Sequence, residues 1–424
     1  MTRVRIRAIG AGMVACLAAV AVAGCAESAS AGNGGGSGLE YGASKEGYVA
    51  AFEDVEPIVL HTQSPSSKGS TTGRPVEAYL ESITEWSGGK ITFDIAYANA
   101  IAAPADIDDA LLDGRLDLAH IIPQYDPSEY PASAALTESA YLAKQTPVVG
   151  VLQSNAWAND VAFGTPEIVA EYENRGMKLL LPEYNSGSNG LFCATPRNDL
   201  PSLHGAQVTA SGRSISAEVT ALGASPVTMP YTELYEALQR KVADCAVTTF
   251  TVGTIGGFLG AAPHAVIDSS ASFANGWGGI AMSQQAWDSL PLVAQQLIWD
   301  RVTVFMKSNV EDKVFANTVA GSKEILAAGG GVGTFAPDAA AAINAEQDKL
   351  LDGVRTGKTF DDGDAFVSRM QDSAAEWLST LEALGYTDEV DYDGFAEWYA
   401  PGKVDLTDYT EKVYEQIFLP HRPS

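Results

Sequence analysis

The chain has 424 residues, with 53 Asp and Glu against 26 Lys and Arg and a formal net charge of -27. That balance argues against nucleic acid as a partner, and because the acids are spread along the whole length they read as a solvated surface rather than a cation site. The length suffices for two or three lobes, each with a full core.

At the start, Arg3, Arg5 and Arg7 precede an apolar run over 9–22 that is short for a membrane span and rich in small residues. It predicts an export signal over 1–24. Val22-Ala23-Gly24-Cys25 has the form of a bacterial lipobox. Cys25 is therefore expected to open the mature chain and to carry a palmitate-type lipid, with ordinary cleavage nearby as the alternative. Loss of the three Arg would take the charge to -30. Residues 25–54, in which AESASAGNGGGSG follows Cys25, read as a flexible tether. Lipid, tether and globular body place the protein outside the cytoplasm, anchored to the membrane through Cys25.

A first α/β lobe is expected over 55–176. It has strands at 58–61, 91–96 and 116–122, helices at 72–86 and from Pro104 to Gly114, and helical segments through 132–170. A second α/β lobe is expected over 177–268. Strands at 177–181 and 191–194 lead into 200–250, which reads as strand, helix, strand, helix, strand, with Leu234, Ala237, Leu238 and Val242 as one apolar stripe. Residues 269–385 form a return segment and helices across both lobes, with a long helix opening at Leu290-Pro291. An acidic extension, 386–424, follows. An internal echo links the lobes: 110–119 and 237–246 each start Ala-Leu, carry Asp at the eighth position and Ala at the tenth, and spell a helix end, a tight turn and a strand.

Leu203-x-Gly205, Ala221-Leu222-Gly223-Ala224, Met229-Pro230, Tyr235 and Ala237-Leu238-Gln239 occur in the order of a known motif. Through them the chain resembles the solute-binding subunits of tripartite ATP-independent periplasmic (TRAP) transporters, the DctP-like family. TEWSGGKITFDIAY at 84–97 and Trp287-Asp288-Ser289-Leu290-Pro291 are similar to the same family, so the resemblance spans about 55–385. It implies a two-lobed periplasmic-binding-protein-like fold, type II-like, with a long connecting helix. It also implies a receptor rather than an enzyme, without a cofactor, that delivers a small organic solute to small and large membrane subunits for uptake driven by an ion gradient.

Ligands of open α/β sheets sit beyond the carboxyl ends of the strands. The exit loops of the first lobe offer His61, Thr62 and Gln63, then Tyr97 and Asn99, then Gln124 and Tyr125. The second lobe offers Phe192, Thr209, Tyr231 and Thr248, with Trp277 from the return segment. The resemblance implies an Arg clamp for a substrate carboxylate, but this chain has Thr209 and Phe192 where the two Arg would stand and Thr248 where an Asn would stand. Either another cation enters the cleft, from Arg213, Arg197 or Arg74, or the ligand is neutral, hydroxyl-rich or partly apolar. The replaced set favours the neutral ligand.

With Cys16 in the signal and Cys25 at the lipobox, Cys193 and Cys245 remain; in an exported protein they read as a disulfide or as two separate buried thiols. The five His show no metal-ligand spacing. Glu389-x-Asp391-x-Asp393-Gly394 opens like a calcium loop but has Ala400 at the twelfth position, which favours a solvated acidic segment. Two alternatives to transport stay open: a ligand-sensing lipoprotein that reports to a membrane kinase, and a secreted hydrolase that uses the cleft, although no Gly-x-Ser-x-Gly elbow follows a strand.

Overall fold

The computed structural model describes residues 38–424, so the export signal, Cys25 and the beginning of the tether lie outside the described residues. Eleven strands are present in this part: β1 (Ile58–Gln63), β2 (Ile91–Ala96), β3 (Leu118–Ile121), β4 (Met177–Tyr184), β5 (Gly190–Cys193), β6 (Gln207–Thr209), β7 (Ser225–Val227), β8 (Cys245–Thr248), β9 (His264–Val266), β10 (Gly278–Ser283) and β11 (Gly331–Gly333). They form a five-stranded sheet in the order β2-β1-β3-β10-β4 and a six-stranded sheet in the order β11-β9-β5-β8-β6-β7.

The echo is a structural repeat. Its fifth position is left-handed in both copies, at Gly114 (φ 79) and Lys241 (φ 57), which makes the tight turn between helix and strand. Its eighth position, Asp117 or Asp244, ties that strand to its parallel neighbour. The His61 N–H donates to Asp117 Oδ2 at 2.7 Å and the Gln207 N–H donates to Asp244 Oδ2 at 2.9 Å. In return the Asp117 N–H donates to the His61 carbonyl and the Asp244 N–H to the Gln207 carbonyl. The same offset then pairs Thr62 with Leu118 and Val208 with Cys245. Gln63 and Thr209 are thus equivalent residues, each the last of its strand.

The helix Arg74–Trp86 buries Val76, Tyr79, Leu80 and Ile83, a stripe at helical spacing, in the core of the first lobe. The strand at 177 belongs to this lobe rather than opening the second: β4 pairs antiparallel with β10, and the chain first crosses between sheets at 185–189, returns at 267–277 and crosses once more, after β10, to reach β11. The crossings are linked where the Asn189 N–H donates to Asn275 Oδ1 at 3.0 Å. A helical run also connects the lobes. It comprises Leu292–Asp300, Val302–Ser308, a π-helical turn Asn309–Phe315 and Ala316–Ala327. Its first part receives the Tyr79 hydroxyl at the Ile298 carbonyl, 2.9 Å. Its last part meets the second lobe at Gly321, where a Cβ would lie 2.5 Å from the Phe250 ring.

Both ends of the described chain are more ordered than composition predicts. The tether reading does not extend through 38–54: Ser44 caps the helix Lys45–Ala51, and Tyr48, Phe52 and Val55 are buried in the first lobe's core. The acidic extension packs on the same core through Phe395, Leu406, Tyr409, Val413, Tyr414, Ile417 and Phe418. There Arg422 pairs with Asp300 at 2.8 Å, both nearly buried. The acids at 389, 391 and 393 are exposed, while Tyr392 between them is buried and donates to Ser188 Oγ at 2.8 Å. Aromatic residues set among acids carry the packing, and net charge hides them. Among the described residues no cluster of His, Cys, Asp or Glu suits a metal ion, and no helix is long and apolar enough to cross a membrane.

Candidate functional site

A cavity of about 130 Å³ is lined by residues of both sheets and of the crossings between them. Its size is near that of an engineered cavity of roughly 150 Å³ that holds one benzene molecule. The carboxyl ends of parallel strands open onto it, through Gln63 of β1, Thr209 of β6 and Thr248 of β8. Gln124 and Tyr125 enter just past β3, Tyr184 at the end of β4, Ser186 and Asn189 from one crossing, and Trp277 from the other. Asn99 and Tyr231 meet across the cavity, with Asn99 Nδ2 donating to the Tyr231 hydroxyl at 3.1 Å.

These groups differ in what they leave free. The Gln63 side chain is spent on its own lobe: Nε2 donates to the Ala102 carbonyl at 2.9 Å, and Oε1 accepts from the Ile101 and Ala102 N–H groups. By contrast, Thr209 Oγ1, Gln124 Oε1, Thr251 Oγ1, Trp277 Nε1 and His120 Nδ1 are buried without a protein partner. Such groups cost free energy unless water or a ligand completes them. Burial pushes the Tyr125 hydroxyl up to about 12 and raises that of Tyr231, so both stay protonated donors. Burial, with Lys313 nearby, holds His120 down to about 3, so its ring is neutral. Behind the cavity, burial raises the carboxyl of Glu218 to about 8 while it accepts from the Ala274 N–H and Gln347, fixing the crossing that carries Trp277.

Of the residues picked from sequence, Gln63, Tyr125, Thr209, Tyr231, Thr248 and Trp277 line the cavity together, with Asn99 and Gln124. His61, Phe192 and Arg213 do not. The strand β1 runs two residues past His61, whose ring is half exposed and lies 3.1 Å from Asp117, so Gln63 and not His61 stands at the end of the strand. Phe192 is in the middle of β5 and wholly buried against Phe250, with ring centroids 5.2 Å apart. Arg213 grips Glu138 of the first lobe through Nε at 2.9 Å and a terminal nitrogen at 2.6 Å, beside a smaller recess. Tyr97 is also outside the lining, while Arg197 and Arg74 are turned to Asp244 and Glu81. Cys193 and Cys245 face each other in register across β5 and β8, and their sulfurs are bonded.

Sequence reasoning missed Lys313, His120, Tyr184, Ser186 and Asn189, all of which line the cavity. Lys313 left one signal. It falls on the same helical stripe as Met306, Asn309, Val310 and Asn317, all buried, where a charged residue is out of place.

The chain matches the family described as bacterial extracellular solute-binding protein, family 7 (DctP), over residues 63–356. No curated protein matches it. Similar solved structures include a marine metagenome TRAP solute-binding protein from an unidentified microbe, specific for aromatic acid ligands and bound to 3-hydroxybenzoate. It is 18% identical with a TM-score of 0.65, covering 76% of this chain and 99% of that one. The periplasmic ectoine-binding protein of the TeaABC TRAP transporter of Halomonas elongata is 16% identical with a TM-score of 0.64, covering 75% and 99%. A TRAP periplasmic solute-binding protein from Bradyrhizobium, in complex with galacturonate, is 23% identical with a TM-score of 0.58, covering 74% and 99%. These are two-lobed solute receptors rather than enzymes, and their fold is the one seen here. With the match extending from the end of β1 through the helix Pro337–Thr356, the chain belongs to the DctP family of bacterial extracellular solute-binding proteins.

Proposed function

We propose that the protein captures one small organic solute in the cavity between its lobes and presents it to the small and large membrane subunits of a TRAP transporter. The observation that carries this reading is the convergence of strand ends from both lobes on one cavity whose buried polar groups lack protein partners. Tyr125, Thr209, Tyr231, Thr248 and Trp277 form its contact surface, and Gln63 shapes it by holding the loop at 99–102. Arg213 with Glu138, and Asn99 with Tyr231, join the lobes in the closed arrangement. The division into lobes follows the two sheets, with 55–184, β10 and the C-terminal helices from 363 around the first, and 190–266, β11 and the helix Pro337–Thr356 around the second. On the N-terminal side, the lipobox supports attachment to the membrane through Cys25, which leaves the receptor on the outer face.

Native mass spectrometry of the purified chain tests capture: one small molecule bound per chain is expected, and its loss on unfolding. A protein that carries no molecule, and that binds none of a broad panel of acids, polyols and amides, would contradict it. For the anchor, Cys25→Ala should move the chain from the detergent phase to the aqueous phase; unchanged partitioning would refute lipidation there.

A further inference from the structure

The chain carries 53 acidic residues, yet among the described residues none of them lines the cavity. Lys313 does, and it is the only Lys or Arg among the lining residues. It comes from neither repeat but from the π-helical turn Asn309–Phe315 of the run that joins the lobes. An insertion of this kind in a helix often marks a functional position. At 8% exposure a lysine is ordinarily paired. Here its company is Ser186 Oγ at 3.1 Å and the face of the Tyr184 ring, whose centroid is 4.6 Å from Nζ. Among the described residues no carboxylate pairs with it. A hydroxyl and an aromatic face steady an ammonium without neutralising it, and the neighbouring His120 is no acceptor of charge. The absent half of the pair is an anion, and the cavity is where one can enter.

We infer that Lys313 is the anion anchor of the site: a small organic acid with one carboxylate and a body about the size of a single ring binds with the carboxylate at Lys313 Nζ and Ser186 and with its body against Trp277, Tyr125 and Tyr231. This rests on the cavity being the solute site. It places the charged end of the ligand at the crossings rather than at Thr209, where the family motif would put a guanidinium. It also revises the neutral ligand favoured by the sequence, because the cation lies some sixty residues beyond the segment that carries the motif. Burial lowers the ammonium to about 7, in keeping with a charge that awaits a partner.

Calorimetry on the full chain, with matched probes, tests the anchor: benzoate against benzamide, pyroglutamate against its amide, and acetate as the smallest carboxylate. In at least one of the two matched pairs the parent should bind the acid roughly 10- to 100-fold more tightly than its neutral partner, and it should bind acetate measurably. Lys313→Met, matched in length, and Lys313→Gln should both erase that preference while keeping the neutral members, so a folding defect in one variant leaves the other to decide. Equal affinity for acid and neutral partner in the parent, unchanged acid binding in the variants, or no binding of any acid by the parent overturns the anchor. The receptor reading falls separately, only if the neutral members also fail and no small molecule co-purifies.

Discussion

The two repeats, 58–121 and 207–248, share a backbone and differ at the tip. In both, an Asp at the eighth echo position locks the register of parallel strands, and the last residue of the leading strand reaches the cavity. In the first lobe that residue, Gln63, has its amide consumed by the loop at 99–102; in the second, Thr209 keeps its hydroxyl unpartnered. The repeat thus fixes where side chains arrive and leaves their chemistry free. Neither copy delivers a charge. The only lysine or arginine among the lining residues comes from the helical run outside both, so a cation can enter the cavity from another element without altering the frame.

The largest effect that sharpens this contrast is on stability. A lysine buried without a partner is a cost to the empty protein, and Lys313→Met should raise the stability of the ligand-free chain near pH 7 by on the order of 3 kcal/mol. The folded-state value of Lys313 is depressed to about 7, so between there and the ordinary lysine range the unfolded chain binds more protons and the parent gains stability as pH rises. The gap between variant and parent should therefore be widest at and below pH 7 and close toward pH 10, read by denaturant titration. A constant gap would mean that the ammonium is not desolvated.

Next come the register locks. Asp117→Ala removes the acceptor of a strand N–H and should cost about 1–3 kcal/mol. Asp244→Ala should cost less, because its side chain is 43% exposed against 21% for Asp117 and the adjacent Cys193–Cys245 bond holds the same strand. Equal or reversed costs would contradict this ranking, and a cost at only one of the two positions would break the equivalence drawn between the repeats. The smallest effect is at the clasp. Arg213→Ala should weaken solute binding by only a few-fold, since the arginine side of the pair is 72% exposed. A loss beyond about 100-fold would place Arg213 on the solute.

The fold was largely legible in the sequence because its signals are local. The stripe at 76–83, the turn at Gly114 and the echo itself each lie within a dozen residues. The strand ends were legible for the same reason, and with them Thr209, Thr248 and Tyr125. His61 was misplaced because β1 ends two residues further on, so that Gln63 rather than His61 reaches the mouth of the cavity. Phe192 was misplaced because a central strand covered on both faces looks, in sequence, like one with a ligand beside it. Lys313 needed tertiary information: its cavity is assembled from β4, two crossings and a distant helix. The order of 45–52 and 395–418 was hidden by flanking small or acidic residues, although the buried Tyr48, Phe52, Tyr409 and Phe418 supply the packing.

A crystal structure of the purified chain with its co-purified solute measures the division of labour between repeats and helix most directly. The expected result is density for one small molecule in the cavity, its anionic group about 3 Å from Lys313 Nζ and its body against Trp277 and the strand ends. A solute bound elsewhere, or one in the cavity whose anionic group faces Thr209 and leaves Lys313 unpaired, would contradict it.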